Sequence, residues 1–313
     1  MTLTDGPTRA AASAGAGGMA GGAGGHAVPR ILHQIWLGDA PVPDECARCR
    51  AVVLRMHPPS AGWRCVLWRD PDAERLVQGD YPWLWPTWRA YPHLVQRVDA
   101  LRLVLLHRHG GFYLDMDALC LQPLDALLAA HPRASLLAAA YAGGSLLAAL
   151  TGMDLLASNH LLAGAPGHPA LDGMVRDLPA ALARYRGPPS RVLRVFRTTG
   201  PDFVSRHLRR AGAVSADSGA PGSVVLLPTR VSSAPAAGAG PDACVVHEGE
   251  LTWLPVVGPL ARAFRRLRRT GPPCAATAAT VLAAATLATA FLATRKPRVP
   301  CTRTTLGTRR DVL

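Results

Sequence analysis

The chain has 313 residues and is 49% hydrophobic, enough for one large folded unit with extensions. A net charge of +13 would ordinarily raise nucleic acid as a partner. Yet Lys296 is the only Lys, Ala, Gly and Pro are abundant, and the 5% of aromatic residues are not interleaved with the Arg runs, so the stacking platform of a single-strand binder is missing.

The seven Cys residues, at 46, 49, 65, 120, 244, 274 and 301, are odd in number and scattered, which argues against a disulfide framework. Cys46 and Cys49 lack a second pair at zinc-finger spacing, so free thiols are expected. Residues 1–28 are Gly/Ala-rich without apolar periodicity and are expected to be disordered. No basic segment followed by an apolar one is found there, so no secretory signal is read.

Residues 30–37 (RILHQIWL) alternate and end at Gly38-Asp39-Ala40-Pro41, the pattern of a buried first strand. A helix over 43–57 and a second strand over 63–68, closed by Arg69-Asp70-Pro71, follow. Strand-helix-strand order predicts a parallel pair with a right-handed crossover. Residues 81–91 (YPWLWPTWRAY) are broken by Pro82 and Pro86 and cannot form one straight helix. They read as hydrophobic cover over the sheet edge, with a platform for a sugar ring or lipid headgroup as the alternative.

The most informative stretch is 98–119 (VDALRLVLLHRHGGFYLDMDAL). Its first half predicts a helix with Val98, Leu101, Leu105 and Leu106 on one stripe, Asp99 in the first turn, and a left-handed cap at Gly110-Gly111. Asp115 and Asp117 then lie two apart in an apolar strand. Aspartate is poorly suited to a strand interior, so this predicts a strand end opening onto a site, with both carboxylates aimed alike. Two hard oxygen ligands favour Mg²⁺ or Mn²⁺.

Residues 134–162 are Ala/Leu-rich, but Tyr141, Gly143-Gly144, Asp154, Ser158, Asn159 and His160 interrupt them, which predicts a core segment and not a membrane span. A Thr199-Gly200-Pro201 turn precedes a helix over 203–210, and short strands are expected at 224–227 and 244–247, the latter ending in His247. Past Pro255, a basic cluster (Arg262, Arg265, Arg266, Arg268, Arg269) precedes the uncharged segment 275–294. As a helix that segment would span about 30 Å of hydrocarbon, in competition with an exposed Ala-rich helix or a disordered tail. The Arg cluster favours anionic lipid headgroups.

Four motifs occur in order: PRILHQIWLG at 29–38, Asp99-Ala-Leu-Arg102, GGFYLDMD at 110–117, and His247 followed by Trp253. In this set the chain resembles glycosyltransferase family 32, the Asp-X-Asp sugar transferases that include the yeast-type initiating mannosyltransferases and the inositol-phosphoceramide mannosyltransferases. The likeness spans about residues 29–256. It implies an α/β fold, GT-A-like, with a Rossmann-related mostly parallel sheet, helices on both faces, and the site at the carboxyl ends of the strands. A C-terminal apolar helix, 275–294, is expected in addition.

The resemblance also implies retaining transfer of a hexose, mannose favoured, from a nucleotide-sugar (GDP-mannose or UDP-hexose) to a glycan or glycolipid hydroxyl. Asp115 and Asp117 would hold Mn²⁺ or Mg²⁺, with His247 as a third ligand or phosphate contact. Asp99 and Arg102 complete the catalytic set: Asp99 would accept from donor hydroxyls and Arg102 touch the sugar or phosphate. Gln34, Trp36, Tyr113, Asn159, His247 and Trp253 would contact the donor, Trp36 by stacking on the base and Asn159 by holding a sugar. The corresponding division is a tail at 1–28, the transferase domain at 29–256, a basic linker at 257–274, a candidate single-pass membrane helix at 275–294, and a basic tail at 295–313. Golgi/ER-type and cytosol-facing placements both stay open, and nucleic acid is not expected as a partner. Two other readings are a catalytically inactive membrane-attached relative that binds nucleotide-sugar and a carboxylate-dependent hydrolase.

Overall fold

Strands that are apolar at consecutive positions must be covered on both faces, and that requirement organises this molecule. The computed structural model of the protein describes residues 28–141, 152–187, 190–213, 220, 222–232 and 240–247. The chain opens with β1 (Ile31–Ile35), α1 (Asp44–Met56), a 3₁₀ turn (Pro59–Ala61), β2 (Arg64–Trp68), α2 (Asp70–Asp80), α3 (Trp85–Ala90) and α4 (Leu94–His109). It continues through β3 (Gly111–Leu114), β4 (Ala118–Cys120), α5 (Asp125–Ala130), β5 (Ala134–Ala140), β6 (Ala157–Gly164), α6 (Pro169–Arg184), α7 (Arg191–Thr198) and α8 (Pro201–Arg210). Then come β7 (Ser223–Leu227), the short α9 (Thr229–Ser232) and β8 (Val245–His247).

Six strands form one mixed sheet in the order β2-β1-β3-β6-β5-β7, and β4 pairs with β8 in a second sheet. In the large sheet β1 is parallel to β2 and β3, β5 is parallel to β7, and β6 runs antiparallel to both β3 and β5. The sheet is therefore mostly parallel with one reversed strand. Alternation along the strands divides the interior in two. Tyr113, Leu136, Ala138, Leu162, Val224 and Leu226 pack with α2, α3, α4, α6 and α8; Phe112, Leu114, Leu137, Leu161, Val225 and Leu227 pack with α1, α5 and the second sheet.

Three expectations change. The central helix starts at Leu94, where Pro92 and the extended His93 stop further winding, so Asp99 lies in its second turn. It is buried on nearly all sides from Asp99 to Leu106, broader than the single stripe the pattern suggested. The strand expected to carry Asp115 and Asp117 is instead two short strands in different sheets, and both aspartates lie in the turn joining them. Aspartate favours a turn over a ladder position, which is the physical reason.

The Gly110-Gly111 break is obligatory. Both residues have positive φ, 64° and 92°, and a Cβ on Gly111 would lie 2.3 Å from the Ile31 carbonyl oxygen. Only glycine lets β3 start against β1 directly after α4. The aromatic stretch at 81–91 bends as expected, with Trp88 fully buried and Trp83 46% exposed. Among the described residues, Cys46, Cys49, Cys65, Cys120 and Cys244 are not joined in disulfides. Among the described residues no helix is long and apolar enough to cross a membrane, and the expected apolar helix at 275–294 lies outside them.

Three buried histidines fasten the layers through fixed tautomers. His33 donates from Nε2 to the Gly110 carbonyl (3.0 Å) and accepts at Nδ1 from the Trp68 indole (3.1 Å). His57 donates from Nδ1 to the Val53 carbonyl and accepts at Nε2 from the Leu124 N–H. His160 reaches the Ser232 carbonyl through Nε2 (2.8 Å) and the Ser158 hydroxyl through Nδ1 (2.7 Å). A second ring proton on His33 would face an N–H donor.

Burial, the dominant cause, pushes His33 down to about 4 and His160 down to about 3, and lowers His57 as well. Unfolded histidine titrates near 6.5, so below that pH the unfolded chain binds more protons than the fold does. Stability should thus be lost as pH falls from about 6.5 towards 5, with a slope approaching about 1.4 kcal/mol per pH unit for each of His33 and His160, and His57 acts in the same direction. Urea unfolding across this window measures it; a flat unfolding free energy would contradict the assignment.

Candidate active site

The parallel strands β1 and β3 deliver their carboxyl ends to one side of the sheet, and Asp115 is the first residue past β3. Its N–H still donates to the His160 carbonyl (2.9 Å), while its own carbonyl accepts from the Ala118 N–H (3.2 Å), closing the turn that holds Asp117. The β4–β8 ladder sets His247 opposite Ala118, which brings the imidazole over that turn. His247 Nε2 lies 3.6 Å from Asp115 Oδ2 and 3.4 Å from Asp117 Oδ1. One ligand atom from each of Asp115, Asp117 and His247 falls within 4.8 Å of the others.

A buried ion-pair chain supports this cluster. Arg102, 4% exposed, bridges Asp99 Oδ1 (2.8 Å) and Asp115 Oδ1 (3.4 Å), and donates to the Asn159 carbonyl (2.5 Å). Its guanidinium carbon lies 4.4 Å from the centre of the Tyr113 ring, and the Tyr113 hydroxyl donates to Asp115 Oδ1 (2.5 Å). Asp115 therefore has one oxygen held from within and the other facing His247. Asp99, 3% exposed, accepts from the Asn159 amide (3.0 Å) and the Thr199 hydroxyl (3.0 Å) as well as from Arg102.

Burial raises the Asp99 carboxyl above the usual range despite the pull of Arg102. For Asp115 burial also opposes the charge, but Arg102 and His247 outweigh it and hold the carboxyl below its ordinary value. Burial likewise opposes charge on His247, yet Asp117 and Asp115 overcome it and push the imidazole up to about 10. The cluster thus calls for positive charge at its centre. His160 stacks face to face on His247, with centroids 4.3 Å apart and planes within 5°.

The carboxylate oxygens and the imidazole nitrogen form a donor set that suits Mn²⁺ or Mg²⁺, and their side chains stay 15–27% exposed, so a ligand can reach them. Of the residues singled out from sequence, Asp99, Arg102, Tyr113, Asp115, Asp117, Asn159 and His247 come together. Asp99, Arg102 and Tyr113 do so as a buried support. Trp36 leaves β1 at the same carboxyl end, its indole N–H donating to the Ala40 carbonyl (2.7 Å). Gln34 alternates to the opposite face from Tyr113, fully buried, and accepts from Arg50 (2.7 Å). Trp253 lies outside the described residues. Sequence reasoning passed over Thr199, seen only as part of a turn, and His160, which shares an alternating strand with Asn159.

Residues 43–134 match a family described as "glycosyltransferase sugar-binding region containing DXD motif". Inositol phosphoceramide mannosyltransferase 1 of Schizosaccharomyces pombe is 29% identical over 57% of this chain and 50% of its own length. Inositol phosphoceramide mannosyltransferase 3 of the same organism is 32% identical over 57% of this chain and 44% of its own. The chain thus spans about half the length of the curated relatives it matches. Among solved structures, the PaToxG glycosyltransferase covers 60% of this chain and 71% of its own, at 14% identity and a TM-score of 0.43.

Removing a donor from the buried Asp99 carboxylate leaves it undercompensated. Thr199→Val should therefore lower stability by about 1.5–3 kcal/mol, and Asp99→Ala, which strips Arg102 of a partner, by about 3–5 kcal/mol. Urea denaturation reads both, and a change below about 0.5 kcal/mol in either would show that the chain of ion pairs is not under strong constraint.

Proposed function

We propose that the chain, whose residues 43–134 match the glycosyltransferase sugar-binding region containing a DXD motif, moves a hexose, mannose favoured, from a nucleotide-sugar to the hydroxyl of a glycan or glycolipid. The convergence of Asp115, Asp117 and His247 at the carboxyl ends of a mostly parallel sheet carries this reading. The mannosyltransferase names of its relatives favour mannose and a glycolipid acceptor. A GT-A-like domain over residues 29–256 is part of the proposal.

Asp115 and Asp117, with His247 as third ligand, would hold Mn²⁺ or Mg²⁺. The ion supplies Lewis-acid stabilisation of the charge that develops on a departing nucleoside diphosphate. Arg102 and Tyr113 fix the inner oxygen of Asp115, so the outer oxygen is presented in one orientation before any ligand arrives. Asp99, Thr199 and Asn159 act one layer further in by orienting Arg102, and none of them needs to touch the sugar. His160 holds the plane of the His247 ring. Trp36, at the same end of the sheet, is the proposed partner for the base, and Trp253 completes the proposed donor contacts. Attachment through residues 275–294, beside the Arg262–Arg269 cluster, would bring the enzyme to a lipid-borne acceptor.

Asp117→Asn keeps the volume of the side chain and removes its charge. Substituting residues that merely orient metal ligands costs about 10–100-fold, so loss of a ligand should lower transfer at least about 100-fold with unfolding unchanged. Transfer assays with GDP- and UDP-sugars and Mn²⁺, scored for acceptor product and for free sugar, measure this and separate transfer from hydrolysis. Full transfer by a folded Asp117→Asn variant would overturn the proposal.

A further inference from the structure

A cavity of about 420 Å³ opens between α6, α7 and α8 and shares no lining residue with the Asp115–Asp117–His247 cluster. Among the described residues, five of the eleven that line it are Arg (184, 186, 197, 206 and 210), against 34 Lys plus Arg in 313 residues, so the concentration is not a matter of composition. Asp177 is the one carboxylate in the lining among the described residues, and it is shared between Arg184 (2.8 Å) and His207 (3.2 Å). A second, Asp202, lies fully buried beneath Arg206 (2.8 Å).

Part of this has a simple cause. Arg184 ends α6, Arg197 lies in the last turn of α7 and Arg210 ends α8, where a cation complements the helix dipole. That effect favours one cation at each helix end; it does not direct three ends into one cavity. Arg186, past the end of α6, also turns back to donate to the Ala183 and Tyr185 carbonyls at that helix end, whereas Arg206, in the middle of α8, lies beyond the reach of this effect. Tyr185 and Phe203 add an apolar wall. The mouth is open, with the Arg184 and Arg206 side chains 64% and 45% exposed.

We propose that this cavity is a binding site for a phosphate ester, separate from the site of sugar transfer. Planar guanidinium forks match phosphate oxygens in bidentate fashion, and several of them around one space favour a dianion over a carboxylate. The volume lies at the small end of the range for ligand pockets, which fits a phosphorylated headgroup and not an extended chain. The ester can be the headgroup of a membrane lipid or a soluble compound; the recognition chemistry is the same.

The test is calorimetric titration of the full chain with glycerol 3-phosphate in EDTA, which removes any metal-dependent contribution from the other site. One saturable site is expected, about tenfold or more weaker in Arg186→Gln/Arg210→Gln and severalfold tighter in Asp177→Asn, where the competing carboxylate is gone. It should be unchanged in Asp117→Asn, so failure here is distinct from failure of the transferase reading. Circular dichroism verifies that each variant folds. Flotation with phosphatidylcholine vesicles, with and without about 20 mol% phosphatidic acid, distinguishes the sources. Flotation that glycerol 3-phosphate suppresses indicates a lipid headgroup, and binding without flotation a soluble ester; both uphold the site. Absence of glycerol 3-phosphate binding, or equal binding by wild type, Arg186→Gln/Arg210→Gln and Asp177→Asn, overturns it.

Discussion

Arg102 between Asp99 and Asp115 is the constraint from which the rest of the site follows. A guanidinium with 4% exposure is tolerable only when carboxylates and carbonyls surround it, and here they come from three separate parts of the chain, α4, the β3 exit and β6, while Thr199 in the α7–α8 turn holds Asp99 from behind. Burying the charge therefore ties those segments together. It also fixes one oxygen of Asp115 and directs the other outwards. The same interaction that closes the interior thus defines the exposed face of the cluster.

The second requirement is a corner. β3 ends in the large sheet, the chain turns through Asp115, Met116 and Asp117, and β4 continues in the small sheet with β8. That corner brings two carboxylates out of the hydrogen-bond ladder and lets a strand from 130 residues further along deliver His247. The neutral histidines act at other joints of the same kind. His160 links β6 to α9 through the Ser232 carbonyl and offers its ring face to His247, so the placement of His247 is decided by packing on one side and by the carboxylates on the other.

Much of this could be read in the residues. The alternation in RILHQIWL, the helix before Gly110-Gly111 and the awkwardness of aspartate among apolar neighbours predicted the elements and the opening at Asp115. What could not be read was long-range. Nothing local distinguishes a strand running through Asp117 from two strands that part at Asp115, because the choice depends on a partner, β8, far along the chain. Asp99 in a first turn would be an ordinary dipole contact; in the second turn of a helix buried all round, it becomes a tether whose partners Asn159 and Thr199 are 60 and 100 positions away. The reversal of β6 was equally hidden, since its apolar run is satisfied in either direction.

The central claim is that Asp115, Asp117 and His247 form one cation site whose geometry is set from beneath by Arg102. Mn²⁺ binding followed by electron paramagnetic resonance, on wild type and on Asp115→Asn, tests it most directly. One bound ion per chain is predicted for wild type, with affinity lowered at least about 100-fold by the substitution. Equal Mn²⁺ affinity in the two proteins would contradict it.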